Sequence, residues 1–263
     1  MQIYTHTLPG GAQLIGYLRD RTVEMPAFNT RPAILILPGG GYAWCSRREA
    51  DPVAMQFLQA GYNVFTLYYT CRSDETVPAL RWQPLIDAAG AILHIRRNAE
   101  QFGTDPAKIA ICGFSAGGHL ALSGAVLDIP GETAQQRPNA VILGYPVITA
   151  GEFAHRGSFV QLAGSEDAAA QQVFTLEDKV TSDTPPVFVW HTMEDKTVPV
   201  ENTLLLLAAL RRAGVPCEAH LFEKGAHGTS ISTAEVDAAD PHRAHWVALC
   251  LEWLGETFGF KLS

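Results

Sequence analysis

The sequence runs to 263 residues, a length that α/β folds routinely hold in one domain around one large buried sheet. Hydrophobic residues make up 47% and charged residues 17%, which suits a strongly buried centre and excludes a disordered chain. The formal net charge of −8, with no cluster of Lys and Arg interleaved with aromatics, argues against nucleic acid as a partner.

The N-terminal MQIYTHTLPGGAQLIGYLRD has no basic segment followed by an apolar stretch, so no signal peptide is expected. The longest apolar runs, such as LLLLAAL at Leu204 to Leu210, fall far short of the roughly 20 residues a bilayer requires, so no membrane partner is expected. Cys45, Cys71, Cys112, Cys217 and Cys250 are scattered without zinc-ligand spacing or a disulfide framework, which fits a reduced, cytoplasmic setting and no metal.

In chain order, weak alternation at Tyr4 to Leu8 and Gln13 to Leu18, with Pro9, Gly10 and Gly11 between, predicts an antiparallel hairpin at a sheet edge. Short continuous apolar runs then predict strands buried on both faces: 33–37 (AILIL), 63–67 (NVFTL), 108–112 (KIAIC), 140–143 (AVIL), 187–190 (VFVW) and 218–222 (EAHLF). Helical patterns separate most of them, over 52–60, 78–102, 116–127, 200–213 and 241–258. Asp51 is placed to cap the first, with Pro52 opening it. In the second, Leu85, Ala89, Ile92 and Leu93 form one apolar stripe. Strand and helix alternating in this way predict an α/β fold with a mostly parallel sheet, helices on both faces and ligands at the strands' carboxyl ends. Residues 1–263 are expected to form a single domain, with 145–186 as a small cap or insertion.

KIAICGFSAGGHLAL sets Gly113, Ser115 and Gly117 in the nucleophile-elbow pattern, directly after an apolar strand and before a helix. A plain Gly-rich turn is the bland alternative, but the strand and helix flanks favour a nucleophile. A serine hydroxyl needs a base oriented by an acid, and in this arrangement both follow in the chain. Asp195 in WHTMEDKTVP is the expected acid, with Glu194 its local competitor, and His227 between Gly225 and Gly228 is the expected base. His191 at a strand end, and His242 and His245 in a helical pattern, are read as packing or exposed; His119, four residues past Ser115, is read as packing beneath the site. LPGGGYAW after the 33–37 strand offers Gly40 and Gly41 as oxyanion donors, joined by the Ala116 N–H. A phosphate loop would need a closing Lys and Ser/Thr that are missing here.

Together PGGGY, READPVA, NVFTLYY, HIRRNAEQFGTDPAKIAICGFSAGGHLAL, ILGYPVIT, AHRGSF, TPPVFVWHTMEDKTVPVENTL and GAHG resemble the bacterial acetylesterases and acetyl-xylan-esterase-like carboxylesterases of the α/β-hydrolase superfamily, over nearly the whole chain. The resemblance implies an α/β-hydrolase fold, with Ser115, Asp195 and His227 as catalytic residues and Gly40, Gly41 and Ala116 as the oxyanion hole. Pro38 departs from it, standing where lipase-type chains often have a histidine.

The implied activity is hydrolysis of short-chain acyl esters, acetyl foremost, through an acyl-enzyme and without a cofactor. The expected partner is a small-molecule ester, with acetylated xylan or xylo-oligosaccharide suggested by resemblance alone. Tyr42, Trp44, Tyr145 and His155 are candidates to line the substrate pocket, since each lies on or near a loop following a strand, while Trp44 and Tyr145 could equally be core aromatics. Glu49 is read as closing a capping box with Ser46. An amidase or formamidase using the same triad is the alternative enzyme, and a binding protein on an inactive hydrolase scaffold the alternative outside enzymes.

Overall fold

The computed structural model describes residues 1–74, 76, 78–131 and 133–262. Eight strands form one sheet: β1 (Gln2–Thr7), β2 (Gln13–Leu18), β3 (Arg31–Leu37), β4 (Asn63–Tyr68), β5 (Thr104–Phe114), β6 (Ala140–Gly144), β7 (Val187–Thr192) and β8 (Cys217–Phe222). Their spatial order is β1-β2-β4-β3-β5-β6-β7-β8. The β1–β2 and β2–β4 pairs are antiparallel and all others parallel, so the N-terminal hairpin edges an otherwise parallel sheet.

The helices are α1 (Asp51–Gln59), α2 (Gln83–Arg97), α3 (Ala99–Phe102), α4 (Ala116–Val126), α5 (Arg156–Ala163), α6 (Ala168–Gln172), α7 (Glu201–Ala213), α8 (Pro241–Ala244) and α9 (Trp246–Phe258). Every residue of β3 is buried, and its side chains alternate between two apolar cores. Ala33, Leu35 and Leu37 pack with Leu85, Ile92, Leu120 and Leu206 of α2, α4 and α7. Ile34 and Ile36 pack with Val53, Phe57, Trp246 and Leu254 of α1 and α9. This two-sided burial is why the central strands carry unbroken apolar runs.

Several boundaries differ from expectation for identifiable reasons. The expected 78–102 helix begins only at Gln83, because Arg81 has a positive φ of 49° that no α-helix accommodates. It is interrupted at Asn98, and the last C-terminal helix is similarly divided at His245. Asp51 is not the cap of α1: it is the first helical residue, and its carboxylate accepts from the Tyr17 hydroxyl at 2.7 Å. Residues 145–186 contain α5, α6 and a short 3-10 turn, Glu177–Lys179. Among the described residues, no helix is long and apolar enough to cross a membrane.

Candidate active site

Strand β5 runs to Phe114 and α4 starts at Ala116, leaving Ser115 alone on the turn with φ 54° and ψ −121°. An L-residue pays for that conformation, and the surroundings enforce it. The Ser115 N–H donates to the Gly144 carbonyl at 3.0 Å, while its own carbonyl accepts from Val147 and His119. The turn is so tight that a Cβ on Gly113 would lie 2.0 Å from the Gly117 carbonyl oxygen, so only glycine fits there.

His227 sits on the loop after β8, and its Nε2 lies 2.8 Å from Ser115 Oγ. Its Nδ1 lies 2.6 Å from Asp195 Oδ2. Because a carboxylate only accepts, Nδ1 carries the hydrogen and Nε2 is left as an acceptor facing the Ser115 hydroxyl. Asp195 follows β7, and its second oxygen, Oδ1, accepts from the Thr197 and Val198 N–H groups, both at 2.9 Å. Burial alone would raise the Asp195 carboxyl, but the hydrogen bonds from His191 and His227 outweigh it and hold the group well below the usual carboxylate range. Glu194 lies apart from the imidazole, accepting instead from the Gly225 N–H at 3.2 Å.

After β3 the chain turns sharply at Gly40, where φ is 128° and a Cβ would lie 2.1 Å from the Trp44 carbonyl oxygen. Among the described residues no acceptor satisfies the N–H groups of Gly40, Gly41 or Ala116. Ser115, His227, Gly40 and Gly41 all open onto one cavity of about 380 Å³.

The chain matches the profile of the prolyl oligopeptidase family over residues 91–260 and the BD-FAE profile over residues 23–142. It superposes on the acetyl ester-xyloside bifunctional hydrolase of Caldicellulosiruptor lactoaceticus with a TM-score of 0.81 and 35% identity, covering 97% of this chain and 90% of that one. The chain belongs to the α/β-hydrolase carboxylesterases. Over 235 residues it is 39% identical to endo-1,4-beta-xylanase B of Butyrivibrio fibrisolvens, covering 84% of this chain. Over 232 residues it is 30% identical to an acetylxylan esterase of Xylanibacter ruminicola, covering 85% of this chain. It spans only 35% and 45% of the lengths of those two proteins.

In this chain the expected pocket residues divide. Trp44, which is 63% exposed, and His155 line the cavity with Ala43, Ser46, Arg48 and Gln161. Tyr42 and Tyr145 do not. Both have positive φ values, 64° and 36°, and both side chains are buried rather than part of the cavity lining. Fully buried, Tyr42 bonds through its hydroxyl to His119 Nδ1 at 2.7 Å, and His119 Nε2 reaches the Phe174 carbonyl. Burial lowers the His119 imidazole to about 4, so it remains a neutral packing group.

Two polar residues of the site were not assigned there from sequence. His191 is fully buried, and its Nε2 lies 3.0 Å from the Val198 carbonyl and 3.3 Å from Asp195 Oδ2. A carbonyl only accepts, so Nε2 carries the hydrogen and shares it with Asp195, while Thr203 hydrogen-bonds Nδ1 at 2.8 Å. The signal was the i, i+4 spacing of His191 and Asp195 across a strand end. Glu49 makes no capping box: the Ser46 side chain caps nothing, and the carboxylate turns inward to accept from Gly39 N–H at 2.7 Å and the Tyr145 hydroxyl at 2.6 Å. Behind the same loop Cys45 and Cys71, distant in sequence, bring their Sγ atoms to 3.7 Å as free thiols. Among the described residues no group of three or more His, Cys, Asp or Glu side chains is placed to hold a metal ion.

Proposed function

We propose that this chain is a serine esterase that removes short acyl groups, acetyl foremost, from carbohydrate esters such as acetylated xylo-oligosaccharides. The observation that carries the reading is the unbroken relay Asp195–His227–Ser115, at 2.6 and 2.8 Å, opening onto a cavity beside three backbone N–H groups without acceptors. Ser115 Oγ attacks the ester carbonyl while His227 Nε2 takes its proton, and the imidazolium returns that proton to the departing alcohol. Gly40, Gly41 and Ala116 donate to the oxyanion, each typically worth about 3 kcal/mol in the transition state. Water, activated by the same imidazole, then releases the acid. His191 and the Thr197 and Val198 amides keep Asp195 ionised and fixed, so that Nδ1–H retains the tautomer the reaction needs.

The cavity volume, about 380 Å³, is toward the small end of ligand sites and favours a small acyl group. Trp44 supports the carbohydrate assignment, because an exposed indole at a cavity mouth offers a flat apolar face on which a sugar ring can lie. The named activities of the xylanase and acetylxylan esterase relatives point the same way.

The test measures acetate release from acetylated xylo-oligosaccharides alongside acetyl and decanoyl aryl esters and an N-formyl amide, with Ser115→Ala as control. Turnover of the sugar and acetyl aryl esters, abolished by Ser115→Ala, is expected. Aryl esterase activity without sugar deacetylation removes the carbohydrate assignment; equal turnover of acetyl and decanoyl esters removes the short-chain one. Faster turnover of the amide makes the enzyme an amidase.

A further inference from the structure

Glu49 lines the active-site cavity but is almost wholly buried, with no cation bonded to its carboxylate among the described residues, so its hydrogen bonds alone offset the cost of burying it. Its two oxygens reach opposite sides of the cleft. Oε2 accepts from the N–H of Gly39, the residue immediately before the Gly40 donor. Oε1 accepts from the Tyr145 hydroxyl, which in turn accepts from the Ser230 N–H at 2.9 Å, on the loop that carries His227. Ser230 is itself fixed: its hydroxyl donates to the Arg48 carbonyl at 2.6 Å, and its carbonyl accepts from Trp246 Nε1. The Tyr145 ring stands edge-on against the His227 imidazole, centroids 4.9 Å apart.

Donor accounting fixes the direction of this chain. The Gly39 N–H can only donate, and the Tyr145 hydroxyl, already accepting from Ser230, directs its one hydrogen to Glu49. Both carboxyl oxygens therefore act as acceptors, an arrangement that favours the carboxylate over the acid. Burial pushes the Glu49 carboxyl up, while the bonds from Tyr145 and Gly39 pull it back.

We propose that Glu49 and Tyr145 form a positioning pair that holds the oxyanion-donor loop and the His227 loop in register, an inference that rests on the triad reading given above. One carboxylate clamps the first loop directly and the second through a phenol, alongside the direct Ser230–Arg48 bond, and so helps to set the distance from oxyanion donors to base. Neither residue takes or gives a proton in the reaction. A Gln at 49 can keep one acceptor but must present an amide donor to the other side, facing either the Gly39 N–H or a hydroxyl whose hydrogen then has no acceptor.

The experiment compares Glu49→Gln, Tyr145→Phe and the double variant with wild type on p-nitrophenyl acetate, each normalised by active-site titration with a serine-directed organophosphate. Each single variant is expected to lower kcat by about 10- to 100-fold, the scale of an ångström-level misplacement, with KM held within about 3-fold. The double variant should lose no more than the more impaired single, because both break one relay. Wild-type kcat per titrated site in either variant overturns the proposal, as do losses that simply add. If Glu49→Gln does not fold, Tyr145→Phe decides alone by the same criterion. Ser115→Ala separates the two readings: residual wild-type turnover there refutes the triad itself, whereas an inactive Ser115→Ala with fully active Glu49 and Tyr145 variants refutes only the relay.

Discussion

The cleft is floored by two buried carboxylates, Asp195 on the β7 side and Glu49 on the β3 side, and they differ in what burial does to them. Asp195 receives four donors, two backbone amides and two imidazoles, and is held well below the usual carboxylate range. Glu49 receives two neutral donors and is pushed up. Both side chains are nearly closed to solvent, but Glu49 is the more deeply enclosed, so depth of burial together with donor number and type separates the two directions. On the roles proposed above, the carboxylate that stabilises a developing imidazolium is surrounded by donors, and the one that ties two loops together has a donor at each end.

The largest effect that could break this contrast is on chemistry. Asp195→Asn should cost about 10³- to 10⁴-fold in kcat, because an amide nitrogen facing Nδ1 favours the wrong tautomer. That is well beyond the loss expected for Glu49→Gln, and equal losses measured under saturating ester would erase the distinction.

The second effect sharpens the contrast through the pH dependence of stability. A carboxyl with a depressed folded pKa stabilises the fold above its unfolded value, and that contribution disappears as pH falls through the range of Asp, about 3.9 unfolded. The wild-type advantage over Asp195→Asn should therefore shrink on acidification. A carboxyl with a raised folded pKa does the opposite: above about 4.3 the unfolded chain releases the proton first, so stability falls as pH rises. The difference between wild type and Glu49→Gln should move against the wild type over that interval. Thermal unfolding at intervals from pH 3 to pH 7 checks both, and slopes of the same sign would contradict the assignment of opposite shifts.

The smallest expected effect lies outside the floor altogether. Trp44→Ala should raise KM for an acetylated oligosaccharide by about 3- to 10-fold, the worth of roughly 1 kcal/mol of aromatic contact, while leaving an aryl acetate almost unchanged. A uniform loss on both substrates would show that the indole supports the loop rather than the sugar.

The parts of this molecule legible in its sequence are those specified by local pattern. The central strands stand out because burial on both faces demands unbroken apolar residues, and Ser115 because the turn requires small neighbours on either side. Asp195 and His227 follow from chain order and from loops at strand ends. What escaped depended on partners far along the chain. Glu49 satisfies a capping-box spacing with Ser46, yet its carboxylate is taken by Tyr145, 96 residues away. For Tyr42 and Tyr145 a place after a strand is compatible with either pocket lining or core packing, and residue type alone does not reveal that both lie buried with positive φ, away from the cavity lining. The helical pattern over 78–102 likewise does not reveal the positive φ of Arg81, which delays the helix to Gln83. Cys45 and Cys71 meet only because the segments after β3 and β4 run side by side.

The left-handed φ of Ser115 sets folding and turnover against each other at a single residue. Glycine accepts that torsion without penalty, so Ser115→Gly should be inactive yet melt above Ser115→Ala, by the few degrees that about 1 kcal/mol gives in a chain of this length. The native sequence thus sits away from its own thermal optimum at the residue proposed as nucleophile, and the Ser115→Gly melting temperature would measure how far.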